Sequence, residues 1–85
     1  MTNNAYANFA SVIADIAVFC EFTNEDLLNE DTAVEIMEQL AFRLGDLNYA
    51  DKANLTTQLE QQSSAYSEKT TAEFVRGLPE TLGLI

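Results

Sequence analysis

Only four residues of this 85-residue chain can break a helix on their own: Gly45, Gly77, Gly83 and Pro79. None lies before position 45, and three fall within the last nine residues. Apolar residues recur at intervals of three and four, and no run alternates apolar with polar in the manner of a strand. That pattern leaves little besides helices. The expected fold class is all-α: a compact bundle of about four antiparallel helices with a short or broken C-terminal helix, in a single acidic domain over residues 1–85.

The spacing predicts a first helix over about residues 4–22. Tyr6, Phe9, Ile13, Ile16, Ala17 and Cys20 recur at helical spacing and form its apolar side. Val12 and Phe19 widen the apolar arc, and Phe22 lies beyond the polar strip of Asn8, Ser11 and Asp15. A helix apolar on most sides is central in its domain or paired with another chain. Val12, Phe19 and Phe22 are therefore candidates for self-association, and a homodimer is expected. Asp15 reads as an exposed member of the polar strip; the alternative is a buried carboxylate paired with Arg43 or Arg76.

Residues 23–26 place an acid three positions after Thr23, a cap for a short turn carrying Leu27 and Leu28. Thr32 and Glu35 form a better capping box and predict the start of the second helix. Its inner face would hold Ala33, Met37, Leu40, Leu44 and Leu47, with Gly45 as the stop. Asn48 or Asp51 should open a third helix reaching about Tyr66, with Leu55 and Leu59 inward. Thr70 and Glu73 make another capping box, before Phe74, Val75 and Leu78. Pro79 suits the first turn of a last helix over residues 79–82, after which the apolar terminus is expected to fold back onto the bundle, the alternative being a short exposed hook for another chain. Tyr49, Tyr66 and Phe74 read as core or groove-filling residues.

Charge is distributed unevenly. The first 42 residues hold eight carboxylates and no base; the other 43 hold six carboxylates with Arg43, Lys52, Lys69 and Arg76, so the net charge of -10 divides into -8 and -2. Glu25, Asp26, Glu30, Asp31, Glu35 and Glu38 are candidates for contact with a basic protein partner. Phe42 joins them, one heptad after Glu35, as an aromatic anchor inside a polar rim. The same acids also sit near predicted helix starts, where the macrodipole favours them by about 0.3–1 kcal/mol each. That accounts for their placement. It does not account for the lack of any Lys or Arg before position 43.

The residue inventory removes several chemistries. One cysteine, Cys20, permits no disulfide within the chain, and there is no histidine. The usual zinc ligand sets and any imidazole base are out of reach. Cys20 has no basic neighbour in sequence and reads as a small core residue. Taking Asn24 as the first ligand of a calcium loop puts Asp26 third and Glu35 twelfth, but Leu28 then occupies a ligand position and Asn29 the glycine position. No cofactor or metal is expected. A nucleic acid partner is opposed by charge, although an acidic helical face can mimic DNA. Residues 1–4 carry no basic charge, and Ser11, Asp15 and Glu21 interrupt the apolar stretch over residues 9–22, so no membrane span is predicted and a cytoplasmic protein is expected.

Two resemblances bear on function. Residues 31–40 resemble the second helix of acyl carrier proteins, which is entered through a serine that carries the phosphopantetheine arm. Here residues 27–32 read Leu-Leu-Asn-Glu-Asp-Thr, without a serine, so the one functional position is missing. In size, acidity and helical character the chain is similar to small immunity proteins that neutralise bacterial toxins, which implies an inhibitor of a basic enzyme; no motif residue carries over. The expected function is non-catalytic protein–protein interaction with self-association. An immunity-type inhibitor or DNA mimic is the alternative, and a carrier or small enzyme is the remote one.

Overall fold

The computed structural model describes residues 5–85. Helices α1 (Ala5–Phe22), α2 (Glu30–Leu44), α3 (Tyr49–Gln62), α4 (Lys69–Arg76) and α5 (Leu78–Thr81) follow one another, with a 3-10 turn, Ser63–Ala65, continuing α3. Among the described residues there is no strand. The fold is an all-α bundle of four longer helices and a short fifth. Asn4, where the spacing would start the first helix, lies outside the described residues.

Helix α1 is the hub. It packs most extensively on α3 and also meets α2 and α4. The core joins Ala10, Ile13, Ala14 and Ala17 of α1 to Leu55 and Leu59 of α3, Val75 of α4, and Leu78, Leu82 and Leu84 near the C-terminus. From α2 only Ala33 is buried; Met37, Leu40 and Leu44 are half-buried against the cluster.

The inner face of α1 differs from the one its spacing predicts. Ala10, Ala14 and Ala17 are wholly buried, whereas Phe9 is 58% and Ile16 37% exposed. Ile13, Ala17 and Cys20 do face inward, as expected. A helix apolar on nearly every side has no hydrophobic reason to prefer one rotation. Close packing then decides. A seam of alanines lets two axes approach toward the short end of the roughly 8–10 Å range, and dense contact follows. Phe9, Val12, Ile16 and Phe19 are turned out instead.

Helix starts are set by asparagines more than by the threonine boxes. Asn29 Oδ1 accepts from the backbone N–H of Asp31 at 2.8 Å and of Thr32 at 3.2 Å, so α2 begins at Glu30, ahead of the Thr32 box. Asn48 opens α3 in the same way, accepting from Asp51 N–H at 2.8 Å. Asn24 accepts from Asp26 N–H at 2.9 Å and makes a turn where Thr23 was expected to cap. Asparagine is among the best residues at this position and ranks above threonine. Helix α4 begins at Lys69, without a side-chain cap, so the Thr70 box does not form.

Helix α3 ends at Gln62, short of Tyr66. Ser63 and Ser64 hydroxyls donate to the carbonyls of Glu60 (2.7 Å) and Gln61 (2.9 Å), and such bonds compete with the helical ladder. Gly45 ends α2 with an ordinary right-handed φ of -62°. Gly83 is different, at φ +74°. Its N–H donates to Glu80 O at 3.1 Å, and Leu84 N–H donates to Pro79 O at 2.8 Å, a Schellman turn. The turn carries Leu82 and Leu84 into the core, so the terminus does fold back.

Helix α1 has 18 residues of mean hydropathy 1.4, long and apolar enough to cross a membrane by length and composition despite its polar interruptions. Five of those residues are buried inside the bundle.

Candidate functional site

Two surfaces stand out. The first is the outward arc of α1. Phe9, Val12, Ile16 and Phe19 are spaced three, four and three residues apart and are 58%, 56%, 37% and 55% exposed. At 3.6 residues per turn that spacing is a single stripe along the helix. Ile16 extends it sideways into a shallow hollow of about 380 Å³ shared with Ile36 and Leu40 of α2. Val12 and Phe19, which widen the apolar arc in the sequence, are exposed; Phe9 and Ile16, whose spacing groups them with Ile13 and Ala17, are exposed beside them. Phe22 is not on the stripe. It meets Phe74 edge to face, ring centroids 5.5 Å apart at 82°.

The second surface is an open cleft of about 570 Å³ between α1, α2 and the C-terminal helices. Its floor is apolar: Ala17 and Cys20 from α1, Ala33, Met37 and Ala41 from α2, and Phe74 and Leu82 opposite. Ala33, Met37 and Ala41 are successive i, i+4 neighbours, so they line one side of α2 for about 12 Å. Four carboxylates border the cleft, Glu21, Glu25, Glu30 and Glu38, and no Lys or Arg does.

All of the acidic candidates are exposed. Glu25 and Asp26 lie in the turn before α2, and Glu30 and Asp31 in its first turn. Asp31, Glu35, Glu38 and Phe42, at i, i+4, i+7 and i+11, run along the outward side of α2, with Phe42 70% exposed. The segment therefore splits. Glu25, Glu30 and Glu38 border the cleft, while Glu35 lines the shallow hollow on the other flank, beside Arg43.

Other polar groups hold the frame together. The Tyr66 hydroxyl donates to Asp15 Oδ1 at 2.7 Å. Burial, and then the bond and charge of Asp15, push the Tyr66 phenol up from 10.0 to about 12. The Tyr6 hydroxyl donates to Asp51 Oδ1, and that bond, followed by burial, raises the Tyr6 phenol as well. Asp15 is thus an exposed acceptor on the polar strip. Arg76 instead reaches Ser63 Oγ at 3.4 Å. Cys20 is a buried free thiol pushed up by desolvation, the opposite of an activated nucleophile. Tyr49, expected in the core or a groove, is 88% exposed, whereas Tyr66 and Phe74 are half-buried. Among the described residues no group of three or more His, Cys, Asp or Glu side chains is placed to hold a metal.

Comparison with protein-family models, with curated proteins and with solved structures finds no match for this chain.

Proposed function

We propose that this protein works without catalysis, by contact with other proteins, and that one such contact is with a second copy of itself through α1. The observation that carries the reading is the stripe of Phe9, Val12, Ile16 and Phe19. Four large side chains remain exposed in a row on the helix that anchors the whole core. Single exposed hydrophobic residues are ordinary on a protein surface; a contiguous row marks an interaction face.

Electrostatics support the same choice of surface. A chain carrying -10 repels its copy over most approaches. Between Phe9 and Phe19 the only ionisable side chain is Asp15, which belongs to the neighbouring polar strip and is engaged by Tyr66. Apposed α1 helices would bury the stripe while keeping the acidic α2 faces in solvent. Sedimentation equilibrium tests this: a species of twice 9.4 kDa at micromolar concentration supports it, and a 9.4 kDa monomer at high micromolar concentration overturns it.

A second reading, an inhibitor of a basic enzyme, is favoured by one observation. Every carboxylate from Glu21 to Glu38 is exposed. Such a face speeds encounter with a cationic partner, and the association would weaken as salt is added. Reversing Glu30, Asp31 and Glu35 to Lys is expected to slow association with such an enzyme, and an unchanged on-rate would remove the acidic face from this reading.

A further inference from the structure

We propose that the cleft between α1, α2 and the C-terminal helices is a docking groove for a cationic amphipathic helix of another protein. The groove is separate from the α1 stripe, so the proposal stands whether or not the chain dimerises.

Three features fix the chemistry of the occupant. The floor is apolar and small-residued, with Ala17, Ala33 and Ala41 allowing a helix backbone to approach closely. Met37 sits among them as an unbranched side chain able to adapt to what packs on it. The border is uniformly negative, through Glu21, Glu25, Glu30 and Glu38. An occupant must therefore bring apolar side chains to the floor and positive charge to the edges.

A helix meets both demands and an extended peptide does not. The floor is built from helix side chains, and no sheet edge exists among the described residues. An extended segment would lay unpaired backbone N–H and C=O groups on an apolar surface, while a helix satisfies its own. Apolar residues at i, i+3, i+4 and i+7 would follow the Ala33, Met37, Ala41 line, with Lys or Arg on either side. A second copy of this chain is a poor occupant. Its four bases, Arg43 on α2, Lys52 on α3, and Lys69 and Arg76 on α4, are spread over three helices and are not gathered along one apolar stripe. An anionic membrane surface or a nucleic acid would be repelled by the same carboxylates.

The test uses fluorescence anisotropy with a labelled synthetic helix of leucine and lysine, its leucines on one face. A peptide of identical composition with the leucines spread around the helix is the control. The facial peptide is expected to bind, and the dispersed one to bind at least about tenfold more weakly. Glu30→Lys with Glu38→Lys should weaken binding of the facial peptide by about tenfold, whereas Asp46→Lys with Glu60→Lys, the same charge change at exposed positions off the groove, should weaken it by less than about threefold. Met37→Glu, checked for retained helicity by circular dichroism, should abolish it; if that variant unfolds, the two charge pairs decide. Absence of binding, equal binding of both peptides, or equal loss in both charge pairs would overturn the groove. Phe19→Ala should leave this binding unchanged, which separates its failure from failure of the α1 dimer.

Discussion

Truncating Phe19 to alanine should split any dimer and leave the fold intact. Phe19 is 55% exposed in the single chain. A phenylalanine offers about 200 Å², so about 110 Å² of it faces solvent. At about 25 cal/mol per Å², covering that area contributes about 2.7 kcal/mol per copy. Alanine retains a minor share of the area, so the loss is about 2 kcal/mol per copy and about 4 kcal/mol per two-fold dimer. Incomplete coverage at an interface can halve the figure, which gives a dissociation constant weakened by about thirtyfold to a thousandfold. The fold should barely notice, because Phe19 lies outside the core cluster, and surface truncations change stability by about 0.5 kcal/mol or less. Sedimentation equilibrium over a concentration series, paired with thermal melts at a concentration where both proteins are monomeric, reads the two quantities separately. An unchanged dissociation constant would remove the stripe as the contact. A large loss of monomer stability would show that Phe19 packs inside the bundle.

Three further outcomes are expected. Gly83→Ala should cost about 1 kcal/mol in urea unfolding, because φ is +74° and nothing crowds a methyl there, so the cost is backbone strain alone; an unaltered midpoint would refute the left-handed turn. Thr56→Val should stabilise by about 1 kcal/mol, since Thr56 Oγ1 is buried without a hydrogen-bond partner among the described residues, and a loss of that size would mean the hydroxyl is bonded. The Tyr66 phenol is held protonated in the fold, from 10.0 up to about 12, so its contribution to stability is fully present below pH 10 and lost as pH rises through about 12. Tyr66→Phe should flatten that alkaline fall in stability and remove the step near pH 12 from a tyrosinate absorbance titration.

Helix number and type were readable because the 3.6-residue period is a local property. Leu55, Leu59, Val75 and Leu78 announced themselves as core in that way. The rotation of α1 was not readable. With Phe9, Val12, Ile16 and Phe19 on one side and Ala10, Ala14 and Ala17 on the other, both sides are apolar, and only the close approach to α3 chooses between them. Helix starts were misplaced where Asn29 competed with Thr32, because both are good caps and the side-chain geometry selects the winner. The exposure of the acidic segment followed from charge. The cleft did not, since it depends on how far α2 stands from Phe74 and Leu82, residues separated from it by thirty positions or more in the chain.

Helix α2 buries a single residue and leans chiefly on α1, whereas α1 itself is gripped from several sides. Its amides should therefore exchange with deuterium well before those of α1 and α3, through partial openings that leave the rest of the bundle closed. An occupant wedged beside Met37 would supply this helix with a second support. Tightening by a ligand would then register as slowed exchange over residues 30–44, with part of the binding energy spent on quieting that arm.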